Sequence, residues 1–364
     1  MVSGWRWVWR WVAGSEVSRL QLQWRAFAFV LPQPLRTARG LLRRKRGWLL
    51  RLQAADGRVG WGEAAPLELD GPESWDAVRT GLESLAQELA RRELELLLTR
   101  ASTPPCLAFA LGAALAELDG LVAPEGWLPA PPSAGLLPAE GAMPEALDRL
   151  LREGPGLPRW VKWKVAAASD AQERELLELL LQRLPATARL RLDANGGWDR
   201  PTALAWAERL ADEPRLEWLE QPLDPVDQPG LELLAAQVPV ALDESLQLHP
   251  QLRTTWPGWQ VRRPSQEGDP RPLLAALQAG RPRLMLSTAF ETGIGRRWLQ
   301  QLAALQAQGP TPTAPGLAPG WSPPGPLFAA DPRLVWAGAP SSGSHSGSGQ
   351  SDGPAAERPA AGLG

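Results

Sequence analysis

Residues 19–31, RLQLQWRAFAFVL, alternate apolar and polar positions, which predicts a strand with one buried face. Residues 47–67, GWLLRLQAADGRVGWGEAAPL, predict two further strands around an Ala-Asp-Gly turn. The period then changes to that of a helix from Ser74 to Leu98, and a second helix is predicted from Pro105 to about Leu121. Strands followed by helices describe a small α+β unit over 20–125. From residue 126 onward short apolar runs alternate with helical periods. The strand candidates are Trp160–Val165, Leu190–Ala194, Leu216–Glu220, Val238–Asp243, Gln260–Arg263 and Leu284–Ser287, separated by helices such as DAQERELLELLLQRL and PTALAWAERLAD. That alternation predicts a parallel sheet, and its even spacing predicts closure into a (β/α) barrel over 126–316.

The polar residue at each strand end then becomes informative. These are Lys164, Asp193, Glu220, Asp243, Arg263 and Ser287, separated by 29, 27, 23, 20 and 24 residues, one β/α unit each. In a barrel they all reach the C-terminal mouth, where barrel enzymes carry their chemistry. Strand parity agrees, since Arg189, Arg191, Asp193 and Asn195 share one face of their strand, and Lys162 and Lys164 likewise share one face of theirs, opposite Val161, Trp163 and Val165. A single strand-end carboxylate is ordinarily a solvated charge. Three in a row at unit spacing, with no histidine or cysteine nearby, form a set of hard oxygen donors suited to Mg²⁺.

Composition narrows the chemistry. The 364-residue chain has a formal net charge of -2, which offers nothing to nucleic acid or to an anionic membrane. Its one cysteine, Cys106, excludes an internal disulfide and reads as buried core. His249 and His345 lie far apart, so a histidine-based triad or metal site is not expected. No apolar run near the start is long enough for a signal peptide or a span, and a cytosolic protein without stable membrane insertion is the expectation. Residues 1–19 read as an N-terminal extension, with a membrane-surface segment as the alternative because aromatic and basic residues interleave there. The Ser/Gly/Pro-rich stretch 340–364 reads as a disordered tail.

Only three lysines, Lys45, Lys162 and Lys164, stand against 35 arginines. An arginine stays protonated, whereas a lysine beside another cation has a lowered pKa and serves as a base. A chain written in arginine therefore keeps lysine where a proton must move; chance survival of the pair is the alternative. The motifs KWK, LDANGGW, LEWLEQP and ALDES, with GWGEAAPL upstream, resemble the enolase superfamily, and most closely its o-succinylbenzoate synthases, over residues 20 to 338.

The resemblance implies a modified TIM barrel, (β/α)7β, closed by the N-terminal capping domain, with residues 317–339 returning to the cap. It implies Mg²⁺ on Asp193, Glu220 and Asp243. Lys164 would be the base and Lys162 the neighbour that lowers its pKa and holds an oxyanion. The general pairing of a lysine base with Mg²⁺ is itself the stated pattern of that superfamily. It implies a small carboxylate substrate, 2-succinyl-6-hydroxy-2,4-cyclohexadiene-1-carboxylate, dehydrated to o-succinylbenzoate on the menaquinone or phylloquinone route.

One position departs from the pattern. Arg263, in VRRP, stands where these relatives usually carry lysine. A racemase needs a titratable base on each face, whereas a one-base syn dehydration needs only a fixed cation there. A DxD after the last strand, common in dipeptide epimerases, is replaced by GLAPGW. Ser287 and Thr288 read either as helix-capping residues or as donors to a second carboxylate, and Arg191 and Asn195 as ligand-contacting positions. Glu63 reads as structural, Glu244 and Glu291 as supporting or merely polar, Trp163 and Trp218 as packing, and residues 36–40 as part of a loop over the substrate. A muconate-type cycloisomerase and a homologue that has lost catalysis are the alternatives.

Overall fold

The alternation at the start of the chain folds as an antiparallel meander. β1 (Arg19–Thr37) pairs with β2 (Gly40–Gln53), and β2 with β3 (Val59–Ala64). The computed structural model describes residues 19–37, 40–67, 74–122, 126–152 and 160–340; the sequence readings on residues 1–18 and 341–364 fall outside them. Residues 36, 37 and 40 belong to the paired ends of β1 and β2, and positions 38 and 39 of the stretch read as a loop also fall outside the described residues.

The helix read over 74–98 is broken in two. α1 (Trp75–Glu83) and α2 (Arg91–Thr99) flank a short β4 (Glu88–Ala90) that pairs with Arg19–Gln21 of β1. Residues 88–90 have good helix formers, but the open edge of β1 offers backbone hydrogen bonds that local propensity does not outweigh. Glu93 then bonds back to the Ala90 amide at 2.8 Å and starts α2.

α3 (Pro105–Leu118) is buried on every side. Cys106, Leu107, Ala110 and Leu111 pack against the antiparallel sheet, while Phe109, Ala113 and Ala116 pack against the second layer. Two glycines of the GWGE motif permit this. A Cβ at Gly60 would lie 1.9 Å from the Ala114 carbonyl oxygen, and one at Gly62 would lie 2.1 Å from that of Ala110. The helix rests on bare backbone.

The remaining chain alternates as read. β5 (Gly135–Leu137), α4 (Met143–Arg152), β6 (Trp160–Lys164), α5 (Asp170–Arg183), β7 (Arg189–Asp193), α6 (Arg200–Leu210), β8 (Leu216–Glu220) and α7 (Gln228–Ala235) come first. β9 (Val240–Leu242), α8 (Glu244–Leu248), α9 (Leu252–Thr255), β10 (Trp259–Arg262), α10 (Arg271–Gln278), β11 (Leu284–Leu286), α11 (Gly293–Ala307) and α12 (Pro332–Gly338) complete the order. Strands β5 to β11 form one parallel sheet in sequence order. Residues 315–316 close it. Gly316 donates to the Leu286 carbonyl and accepts from the Thr288 amide on one side, while the Pro315 carbonyl accepts from Ala134 on the other. The first and last staves of this barrel escaped the pattern reading because β5 is three residues in a proline-rich stretch and the closing segment is one isolated bridge.

Val161, Trp163, Leu190 and Leu192 face outward into the helical layer. Inside, Trp218, Ala241, Val261 and Met285 make a separate apolar floor. No helix of the described residues is long and apolar enough to cross a membrane.

Candidate active site

Two positions beyond the floor, on the same inner face, come the strand-end residues. Lys164 follows Lys162, Asp193 follows Arg191, and Glu220 follows Trp218; Asp243, Arg263 and Ser287 follow Ala241, Val261 and Met285. Register sets Lys164 opposite Asp193 and Asp193 opposite Glu220. The six strand ends named in the sequence therefore meet at one mouth, and Asp193, Glu220 and Asp243 are 5% exposed or less.

Their charges interlock. Lys162 Nζ lies 2.7 Å from Asp193 Oδ2 and 2.6 Å from Glu220 Oε1. Burial pulls the Lys162 pKa down, but Asp193 and Glu220 outweigh it and hold the amine above its ordinary value. The Lys164 amine is shifted the other way, below its usual value, by burial first and then by Lys162 and Arg263, against the pull of Asp193 and Glu244. Arg263 donates through Nε to Asp243 Oδ1 at 2.9 Å and through Nη2 to Asp243 Oδ2, and its Nη1 reaches the Thr288 carbonyl at 2.9 Å. In strand order β10 stands across the barrel from β6, so this permanent cation faces the lysine pair.

Surrounding groups fix these side chains, and several carry no signal at sequence level. Gln221 is fully buried; its Oε1 accepts from the Asp243 and Ser245 amides, and its Nε2 donates to Leu223 O and Ser245 Oγ. Glu173 accepts from the amides of Ala166, Ala167 and Ala168, just past Lys164. Trp218, read as packing, also donates to Glu220 Oε2 at 3.3 Å. Glu267 accepts from the Arg263 amide at 2.7 Å. Leu136, paired with Lys162 and so on the inner face, is 47% exposed at the mouth. Ala166, Asn195, Gln221 and Phe290, each just past a strand end, take left-handed backbone with φ of 62°, 46°, 38° and 64°. Strain of this kind concentrates where a fold must aim side chains.

Three placements bear on the sequence readings. Arg191 is not at the mouth. It is fully buried one layer down, paired with Glu217 at 2.6 Å, bonded to Thr313, and stacked 4.2 Å over Trp218, so it supports the floor. Thr288 Oγ1 is committed to Glu291 Oε2 at 2.6 Å, which leaves it no proton for a substrate. The start of α11 does not offer a free anion site either, because Glu63 of β3 already fills it. Its carboxylate accepts from the Thr292 amide and hydroxyl and from the Gly295 amide. Ser287 sits at the mouth as read, and Asn195 donates to Glu244 Oε1 at 3.1 Å.

Among the described residues no three acidic, histidine or cysteine side chains stand as a ready-made cage. The donor set nevertheless fits a hard divalent ion. Burial raises the Glu220 pKa, and Asp193 and Asp243 raise it further against Lys162, a mutual repulsion that such a cation would relieve. Glu244 Oε2 and Asn195 Oδ1 are buried beside these acids with no hydrogen-bond partner. Burial and the charges of Asp243 and Asp193 push Glu244 up to about 8.

Comparison with known proteins bears on this geometry. The Enolase C-terminal domain-like family matches residues 142–255. The o-succinylbenzoate synthase of Thermosynechococcus vestitus is 35% identical over 288 residues, spanning 76% of this chain and 86% of its own. This chain belongs to the enolase superfamily. It is accordingly an enzyme. The o-succinylbenzoate synthase of Salmonella arizonae is 29% identical and spans 71% of this chain and 78% of its own. The crystal structure of o-succinylbenzoate synthase from Thermosynechococcus elongatus BP-1, complexed with Mg in the active site, matches 87% of this chain and 99% of its own, with a TM-score of 0.73 and 32% identity. The L-Ala-D/L-Glu epimerase of Bacillus subtilis, with a TM-score of 0.63 and 21% identity, shares the superfamily fold. The capping sheet and curled parallel sheet are thus the superfamily's cap and modified TIM barrel.

Proposed function

We propose that this enzyme dehydrates 2-succinyl-6-hydroxy-2,4-cyclohexadiene-1-carboxylate to o-succinylbenzoate, as a step of menaquinone or phylloquinone synthesis. In this reading residues 20–125 cap a barrel formed by 126–316, and 317–339 return to the cap. The observation that carries it is the asymmetry of the mouth: a lysine of lowered pKa on β6, and across from it Arg263, which cannot take up a proton. One base suffices for a syn elimination and does not suffice for epimerisation.

Asp193, Glu220 and Asp243 would hold Mg²⁺, which supplies positive charge to the substrate carboxylate as its α-carbon loses a proton. Lys164 takes that proton, breaking the C–H bond. As an ammonium it then passes the proton to the hydroxyl on the same face; the C–O bond breaks, water leaves, and the ring becomes aromatic. Lys162, held cationic by Asp193 and Glu220, keeps Lys164 from gaining a proton too readily and stabilises negative oxygen. Arg263 supplies fixed charge, and Leu136 an apolar wall beside the ring.

The test is turnover of the cyclohexadiene acid, followed by its ultraviolet change on aromatisation. Wild type with Mg²⁺ is expected to convert it, and EDTA to stop the reaction until Mg²⁺ is restored. A folded, Mg²⁺-supplied wild type that leaves the acid unchanged excludes the proposal. Charge rather than proton transfer at position 263 makes a further prediction. Arg263→Lys should keep the rate within about tenfold, while Arg263→Met, which leaves Asp243 without its bonded cation, should lose roughly 30- to 1000-fold. Equal losses in the two variants would assign Arg263 to shape instead of charge.

A further inference from the structure

Beside the mouth lies a cavity of about 260 Å³ whose walls include Thr288, Phe29, Phe290, Trp321 and Phe328. Arg296, in the first turn of α11, is the cation in its wall. Its Nη1 donates to Ser322 Oγ at 3.3 Å and its Nη2 to the Phe328 carbonyl, both neutral acceptors. Among the described residues no carboxylate lies within ion-pair distance of it. The adjacent Arg297 shows the contrast, pairing with Glu117 at 2.6 Å. Burial lowers the Arg296 pKa, and the more distant Glu63 and Glu291 offset this only in part. Glu291 also lines the cavity, but its oxygens are committed to Ser265 Oγ, the Ala289 amide and Thr288 Oγ1.

A half-buried guanidinium without a counter-ion is costly, and it marks a seat for an anion. Two lining residues add to the case. Phe290 and Ala318 both hold left-handed backbone, φ 64° and 44°, a strain seldom accepted by side-chain-bearing residues without a local purpose. The cavity also adjoins the chemistry, because Thr288, in its wall, is the residue whose carbonyl accepts from Arg263. Four aromatic rings and one cation fit an apolar chain that ends in a carboxylate.

We infer that Arg296 is the specificity-determining partner of the substrate's second, non-reacting carboxylate, seated in this cavity while the first lies at the mouth. The inference rests on the dehydration proposed above, whose substrate and product each carry two carboxylates. It is tested by titration calorimetry with Mg²⁺ present, comparing o-succinylbenzoate with 2-butanoylbenzoate, in which the distal carboxylate is a methyl group. Wild type should favour the dicarboxylate by roughly 10- to 100-fold, the worth of one charge-assisted pair. Arg296→Met should erase that preference while leaving affinity for 2-butanoylbenzoate unchanged, and Arg296→Lys should restore most of it.

A preference that survives in Arg296→Met overturns the inference. So does an equal weakening toward both ligands, which would place Arg296 as a strut for residues 322–328. A wild type that turns over the cyclohexadiene acid yet shows no preference overturns the seat alone. A wild type with the Arg296-dependent preference but no turnover supports the seat and excludes the dehydration.

Discussion

Lys164→Arg lowers the rate of aromatisation by about 10³-fold while the protein stays folded, because the substitution keeps the charge and removes only the capacity to give up a proton. The two other cations of the mouth do not replace it: Lys162 is held cationic between Asp193 and Glu220, and Arg263 is bound to Asp243. The pH profile supplies an independent reading. A base must start neutral, so activity rises with pH through the Lys164 pKa. Burial, Lys162 and Arg263 bring that rise below the ordinary lysine value. Retention of more than about a tenth of the wild-type rate by Lys164→Arg removes the base from this position.

Removing the Glu63 carboxylate carries the second large effect, on stability. Glu63→Ala leaves the Thr292 and Gly295 amides and the Thr292 hydroxyl without an acceptor in a buried contact between cap and barrel. Unpaired buried donors each cost about 1–3 kcal/mol, so a loss of about 3–5 kcal/mol is expected, with Tm lower by roughly 5–10 °C. The same carboxyl ties stability to pH. Burial raises its pKa from 4.5 to about 7, with Glu291 adding to burial and Thr292 and Lys45 opposing it.

A raised folded-state pKa means that the folded protein binds this proton more tightly than the unfolded chain. Its contribution, on the order of 3 kcal/mol, is complete below pH 4.5 and is lost as pH rises to about 7. Glu63→Gln, which titrates nowhere in that window, should flatten the part of the denaturation profile due to this group. An unchanged slope between pH 4.5 and 7 would show that Glu63 does not carry it.

Lys45 limits the argument from lysine counting. It is as rare as the other two lysines, yet it lies in β2, 1% exposed, donating to the Ala65 and Pro66 carbonyls at 2.8 and 3.1 Å. A compact ammonium fits between two carbonyl oxygens where a planar guanidinium would not. Retention of lysine thus has two physical causes, and the sequence does not separate them. Glu63 shows the complementary case. The residue was legible as structural from its motif, but its partners lie 229 and 232 positions away, beyond any local pattern.

What the sequence determined by itself is whatever a strand period and a unit spacing can carry. Alternation assigned the inward face of β6 to β11, and the 20- to 29-residue spacing brought Lys164, Asp193, Glu220, Asp243, Arg263 and Ser287 to one end of a parallel barrel. Only the tertiary structure decided who meets whom across that barrel. It set Lys162 between two acids, sent Arg191 to the floor with Glu217, closed the sheet through residues 315–316, and left Arg296 beside a cavity without a carboxylate of its own. The physical reason is range: backbone periodicity is a property of a few consecutive residues, whereas charge pairing and cavity formation depend on distances between segments that the chain brings together only when its core is packed.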